Sequence, residues 1–381
     1  MKVNLIIFIV TVLLYSCSSI KTENIKSTNK LKKYSFFYNL PKNELQININ
    51  AVKQTYIPGP YKDYADKYLG IKLKYKDKKE SWQITDVKIN SVPVVDTSKY
   101  FVVSYSGDKY IKSYNLSELG FLISLNSDKE LHKYVNTKKN IQHQNKYLPE
   151  FINSIIKPIF VEKIDTTYKT VRRDSIVRRV PVYKRNIVSK DLESRAEDAA
   201  RFIIKIRKRR LRVLTGMDKN FPKGEAAKQI IKKLDELENQ YLTLFVGKTI
   251  NENKQFSFNI VPQKNKLDYK ICNFSEDKGF SDNANSAISL KLTDESFNSV
   301  IDSFLIKNTK SKKVVNGIFY RLPKAYKAVI NLDNKNLLSQ TVKISQFGNL
   351  TVLNKKDLQN KSVIFDASTG AIKSLTRKNR D

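Results

Sequence analysis

Polar and apolar residues alternate along much of this chain. Between Tyr34 and Val52, Leu45, Ile47 and Ile49 fall on one side and Gln46, Asn48 and Asn50 on the other, the period of a half-buried strand. The stretch Tyr56-Ile57-Pro58-Gly59-Pro60-Tyr61 breaks it, because two prolines remove backbone donors and Pro-Gly predicts a turn with positive φ at Gly59. A short helix over 61–69 follows, with Gly70 as its stop. Strands are predicted at 71–75, 82–89, 100–105 and 120–126, and short β-like runs occupy 160–188. The period then changes. Leu192, Ala196, Ala199, Ile203 and Ile206 step by three and four, as do Ala227, Ile230, Leu234, Leu237, Tyr241 and Leu244, which predicts two amphipathic helices. Gly216 and Pro222 lie between them and Gly247 ends the second, so an antiparallel helical hairpin is the economical arrangement. Strand patterns return at 255–261, 267–274, 287–292, 317–322, 327–332, 338–345 and 350–353, and a hairpin over 363–375 turns at Ser368-Thr369-Gly370.

These elements predict an α+β chain. Two β-rich domains, 34–159 and 248–375, flank a β segment at 160–188 and the helical hairpin at 189–247, with a frayed basic tail at 376–381. Phe37-Tyr38-Asn39-Leu40-Pro41-Lys42 parallels Phe319-Tyr320-Arg321-Leu322-Pro323-Lys324, and Gly120 to Asn126 loosely parallels Gly348 to Asn354. The two β domains therefore read either as an internal repeat or as a chance likeness of short strand-and-proline phrases.

The first residues carry an address. Lys2 precedes an apolar run from Leu5 to Leu14 that is too short to cross a bilayer, the pattern of an export signal over 1–16. Leu14-Tyr15-Ser16-Cys17 resembles the bacterial lipobox: a small Ser16 fits the signal peptidase beside the scissile bond, and the Cys17 thiol takes the diacylglyceryl group. Acyl chains on Cys17 would anchor the protein in a membrane, and the polar stretch 17–33 reads as a flexible tether. Only Glu23 is acidic in the seven positions after Cys17, which favours the periplasmic face of the outer membrane over the cell surface.

Charge narrows the choice of partner. Seventy basic residues against 37 acidic ones leave +33, a surface that attracts anions. Lysine usage follows the Asn- and Ile-rich composition of an AT-rich genome, but 11 of the 14 arginines crowd between Arg172 and Arg212. Arg172-Arg173 and Arg178-Arg179 lie in the β segment, and Arg207, Arg209, Arg210 and Arg212 on the first helix. Arginine forks hold phosphates and carboxylates bidentately, so an anionic envelope component or another envelope protein is one expectation. A helix face salt-bridged to Glu193, Glu197, Asp235, Glu236 or Glu238 is the other. Nucleic acid is not expected at an exported lipoprotein.

Tyr61, Tyr64 and Tyr68 share one helical face, which either stacks on a sugar or peptide or packs the helix onto a sheet. Thr166 in Asp165-Thr166-Thr167 and Ser175 in Asp174-Ser175-Ile176 resemble short O-glycosylation sites. Two Cys and two His cannot build a zinc finger or a three-His centre, so neither metal nor cofactor is expected. His132 and His143 lie in a polar connector, and Cys272 lies in a strand pattern that suits a buried, inert thiol. Gly247-Lys248-Thr249 fails as a phosphate loop, since Leu242 stands where a glycine is required.

Several phrases together resemble a known family: Tyr56 to Tyr61 with Tyr64-Ala65 and Tyr68-Leu69-Gly70, then Leu211 to Gly216, Tyr241 to Thr249, Phe319 to Pro323 and Gln346-Phe347-Gly348. They are similar to an uncharacterised lipoprotein family of Bacteroidetes, defined as a domain of unknown function, over nearly the whole chain. The resemblance implies an envelope location and no catalytic residues. The expected function is a binding or structural module of the envelope; the alternative is an envelope-polymer hydrolase using paired carboxylates.

Overall fold

A computed structural model of the protein describes residues 19–27, 34–107, 109–127, 160–173, 176–217, 224–295 and 314–377. Among these residues strands account for 60% and helices for 20%, so the helices are additions to a framework of antiparallel sheets. In chain order the elements are β1 (Ile20–Asn24), β2 (Ser35–Ile57), α1 (Ala65–Leu69), β3 (Lys79–Tyr105), β4 (Tyr114–Leu116), β5 (Leu122–Leu125), β6 (Phe160–Arg173), β7 (Ile176–Ser189), α2 (Leu192–Leu214) and α3 (Glu225–Val246). They continue with β8 (Lys248–Ile260), β9 (Asp268–Ser275), β10 (Gly279–Phe280), β11 (Ser286–Asp294), β12 (Val314–Val315), β13 (Gly317–Leu332), β14 (Lys335–Asn354), α4 (Lys355–Leu358), β15 (Lys361–Asp366) and β16 (Ala371–Arg377). The sheets run β12-β1-β3-β2-β8, β10-β9-β11-β13-β14 and β16-β15-β5-β4, while β6 and β7 form a two-stranded ribbon.

The chain divides into two compact units. The first takes Met1–Val52, Trp82–Thr137 and Asn253–Asp381; the second takes Lys53–Ser81 and Lys138–Glu252. The β-rich stretches expected as separate domains thus interleave within the first unit, where the Tyr38 hydroxyl donates to the Phe319 carbonyl at 2.9 Å.

Two apolar cores share the long strands of this unit. Phe36, Tyr38 and Leu40 of β2 fill one with Phe101, Val103, Ile318, Phe319 and Phe365; Leu45, Ile47 and Ile49 fill the other with Ile89, Leu290, Ile330 and Ile344. Phe36, Tyr38 and Leu40 are buried in one core and the odd positions from Leu45 on in the other, so the core-facing parity of β2 switches between Leu40 and Leu45, and β13 has a register shift between Leu322 and Lys324. The strand patterns at 82–89 and 100–105 join into β3, those at 317–332 into β13 and those at 338–353 into β14, because bends at prolines and bulges replace the expected turns. The phrases Phe37 to Lys42 and Phe319 to Lys324 both end at such a bend, yet they pleat out of phase: Phe37 is 43% exposed and Phe319 is 4% exposed.

The segment expected as a tether is corrected in part. Ile20 and Thr22 are buried, and β1 pairs with β3 from Ile20↔Tyr105 to Asn24↔Phe101, so 20–24 is a core strand. Its alternation is hidden in the sequence because only Ile20 of the inward pair is strongly apolar.

In the second unit, α1 follows a one-turn 3-10 helix and stops at Gly70, whose φ is +67°. Gly59 does not take the expected positive φ. A Cβ there would lie 2.2 Å from the Leu244 carbonyl oxygen, so glycine is required for close approach to α3. The predicted strand at 71–75 does not form; Ile71 and Leu73 instead pack against the core made by Tyr61, Ala65, Ala196, Ala200, Ile203, Leu244 and Phe245. The small alanines of α2 let Tyr61 and Phe245 approach, with ring centroids 5.5 Å apart. Helices α2 and α3 meet through Phe202 against Tyr241 and through Arg207 and Arg210 against Glu238.

Candidate functional site

The β6–β7 ribbon is the most exposed apolar element of the second unit. Each strand has 14 residues, and the register runs unbroken from Phe160↔Ser189 to Arg173↔Ile176. Residues directly across an antiparallel pair share a face. One face therefore carries Phe160, Ile164, Tyr168, Val177, Tyr183 and Ile187, with Arg172, Arg179 and Arg185 among them. Tyr168 and Tyr183 are each 67% exposed and Ile187 is 79% exposed. The opposite face carries five valines, including Val171 and Val180, with Lys163, Lys169, Lys184 and Arg178. Both faces are open, and Pro181 is accommodated because neither edge of the ribbon is interior to a sheet.

The arginines divide by environment. Arg172, Arg178 and Arg179 are exposed near the ribbon tip and have no carboxylate partner among the described residues. Arg185 lies 3.5 Å from Glu162. On α2, Arg207 and Arg210 turn toward α3: Arg207 Nε donates to Glu238 at 2.7 Å, and Arg210 reaches Asp235 at 2.5 Å and Glu238 at 2.6 Å. Arg209 and Arg212 remain on the exposed side of the helix. The helical cluster thus has a structural half and a solvent-facing half.

The tyrosine face is turned inward to differing degrees. Tyr61 is buried against Phe245, while Tyr64 and Tyr68 are partly buried on the same core, which is built by helices and not by a sheet. The Tyr68 hydroxyl donates to Glu193 at 3.2 Å, and Lys67 pairs with the same carboxylate. Lys67 and then Tyr68 hold Glu193 below the usual carboxylate range. Thr166 is exposed on the ribbon opposite Tyr183. Cys17, His132, His143 and Ser175 lie outside the described residues, as does the side chain of Arg173.

A buried polar belt crosses the first unit where its strands change phase, a feature that sequence reasoning missed. Arg321 pairs with Asp96, and its Nη1 donates to the Ser345 carbonyl at 3.1 Å. Asn43 accepts from the Ser345 N–H at 2.7 Å, and its own N–H donates to Gln346 Oε1 at 2.8 Å. Burial pushes the Asp96 carboxyl up, but the Ser98 hydroxyl and N–H together with Arg321 outweigh it, leaving Asp96 below the usual range. The belt stitches strands together. Polar letters beside Pro41 and Pro323 were its one visible signal.

A hydrolase working through paired carboxylates needs one of them held above its ordinary range. Among the described residues, the carboxylates whose pKa is displaced, including Asp96, Glu193, Asp333 and Asp366, are all displaced downward. No cluster of three His, Cys, Asp or Glu side chains suited to a metal occurs among the described residues. No helix among them is long and apolar enough to cross a membrane.

Neither the curated proteins nor the solved structures offer a match. A family model covers residues 34–373, which take in the ribbon, the helices and both cores apart from Ile20. The chain belongs to the family described as Domain of unknown function (DUF4831).

Proposed function

We propose that this is a lipid-anchored envelope protein of a Bacteroidetes lipoprotein family that acts as a binding or structural module, held through Cys17 at the periplasmic face of the outer membrane. The β6–β7 ribbon is its recognition element, and its partner is an anionic envelope component. One observation carries this reading: a two-stranded ribbon of 14 residues per strand exposes large apolar side chains on both faces. An isolated hairpin is marginal in water, so a partner that covers one face supplies what the fold lacks. Arg172, Arg178 and Arg179 then offer forks to phosphates or carboxylates on that partner. Helices α2 and α3 are read as a hairpin supporting the ribbon's base, and the two Phe-Tyr-x-Leu-Pro-Lys phrases as a trace of duplication.

The test places a photoreactive phenylalanine at Tyr183 in living cells. The expected result is one dominant adduct in the envelope fraction that fades when Arg172, Arg178 and Arg179 become Gln. Absence of an adduct would reject the ribbon as the recognition element. Radiolabelled palmitate should enter the wild-type chain and not Cys17→Ala.

A further inference from the structure

The lipid on Cys17, if present as proposed above, cannot hang on a loose leash. Ser19 is already fixed: its N–H donates to Ser106 Oγ at 3.0 Å, and the Ser106 N–H donates back to the Ser19 carbonyl at 3.0 Å. From Ile20 onward the chain is a core strand. Ser19 stands two positions after Cys17, with only Ser18 between them, and two Cα–Cα steps reach at most about 7 Å. The end of the first unit that holds Ser19 is therefore brought to within a headgroup's depth of the bilayer.

That end carries tyrosines. The Tyr105 N–H donates to the Tyr34 carbonyl at 3.1 Å, and their ring centroids lie 6.1 Å apart. Phe36 bridges Tyr105 to Tyr114, stacking on the latter at 4.2 Å. Tyr34 is 54% exposed and Tyr114 is 39% exposed, while Phe36 is buried beneath them. Exposed Lys109 stands three residues beyond Ser106. Tyrosine has an apolar body and a polar tip, which suits the boundary between acyl chains and water, and lysine beside it suits lipid phosphate.

We propose that the Ser19 end of the first unit docks directly on the membrane, with Tyr34, Tyr105 and Tyr114 seated in the lipid headgroup layer. The partner is the lipid surface that Cys17's acyl chains enter. Docking on that end leaves the β13–β14 turn on the aqueous side: Gly317 at the start of β13 accepts from the Thr22 hydroxyl, and 16 residues of strand run from there, through two register shifts, to Leu332, at most about 50 Å if fully extended.

The test uses the full chain, made in a lipoprotein-processing bacterium and reconstituted into vesicles of phosphatidylethanolamine and phosphatidylglycerol. Nitroxide labels go on Tyr34→Cys, on Tyr114→Cys as a second reporter, and on Lys335→Cys as the distant control. Cys272 takes little label at neutral pH because burial pushes its thiol up to about 11. The mass of the amino-terminal peptide is measured on the same sample. Docking predicts that a water-soluble nickel chelate collides severalfold less with labels at 34 and 114 after reconstitution, with no change at 335. An acylated peptide with all three labels equally accessible overturns docking alone. An unacylated peptide overturns the lipid reading and docking with it.

Discussion

Asp96→Asn and Arg321→Met probe whether the buried pair locks the two cores of the first unit in register. The two side chains are 14% and 7% exposed, so little water can replace a lost partner. Removing one member of a buried pair costs about 3–5 kcal/mol because the other charge stays desolvated. Asp96→Asn leaves the guanidinium with the Ser345 carbonyl, which places it near the upper end, about 4 kcal/mol. Arg321→Met leaves Asp96 with the Ser98 hydroxyl at 2.7 Å and the Ser98 N–H at 3.1 Å, so its cost falls near the lower end, about 3 kcal/mol. The double variant should lose about 2 kcal/mol less than the sum, the coupling of groups that touch.

The single tryptophan, Trp82, belongs to the first unit and packs edge-on to Phe280, so its emission reports that unit's unfolding. At an m-value of about 2 kcal/mol/M in urea, a loss of 4 kcal/mol shifts the midpoint by about 2 M at constant slope. Additivity of the single variants within about 0.5 kcal/mol would refute the idea that the charges hold each other. The pH dependence has a fixed sign. Asp96 has a folded pKa below its unfolded value of about 3.9, so its contribution is complete above that pH and is lost as pH falls through the folded value. Asp96→Asn should lack this part of the acid transition.

Three further outcomes are expected. Ile20→Ala should lower the Trp82-monitored stability by about 2–4 kcal/mol, since Ile20 is 1% exposed in a core; a loss below about 0.5 kcal/mol would mean that β1 is detached. Glu238→Gln removes the carboxylate shared by Arg207 and Arg210 and should cost about 1–2 kcal/mol by far-ultraviolet circular dichroism, limited by water around Arg207. The half-buried Cys272 thiol, pushed up to about 11 by burial, should react with Ellman's reagent at pH 8 more slowly in the folded protein than in denaturant; equal rates would contradict its partial burial.

The helices were legible because their period is local. Ala196, Ala199, Ile203 and Ile206 are buried as their spacing predicts, and Gly70 and Gly247 end helices by adopting positive φ. The hairpin turning at Ser368-Thr369-Gly370 is equally local, and it forms. Long-range pairing was not legible. Nothing in Ile20-Lys21-Thr22-Glu23-Asn24 says that it lies between β3 and β12, because Thr22 is polar and its hydroxyl is satisfied only by Gly317, 295 residues away. The ribbon was visible as short β-like runs with paired arginines set between apolar pairs, without its register. Its aromatic face appears once Tyr168↔Pro181 and Thr166↔Tyr183 fix the register, since a shift of one residue would have scattered those side chains over both faces. On α2, spacing could not separate Arg207 and Arg210 from Arg209 and Arg212, because which of them meets Glu238 depends on how α3 lies.

The switch of core-facing side along β2 makes one more consequence sharp. Up to Leu40 the strand sends even positions into one core and from Leu45 odd ones into the other, with Asn43 pinned to Ser345, Gln346 and Ser368. One residue inserted between Lys42 and Asn43 must either break those bonds or turn Leu45, Ile47 and Ile49 away from their core. Exposing three such side chains costs about 1.5–3 kcal/mol each, which consumes most of the roughly 5–15 kcal/mol that holds a typical domain together. The same insertion between Lys264 and Asn265, in an exposed loop, breaks no core register and should be tolerated. Limited proteolysis with Trp82 emission compares the two. If the insertion after Lys42 proved as resistant as the loop insertion, the belt would not be what sets the register, and the two cores would have to be aligned by the β13–β14 pairing instead.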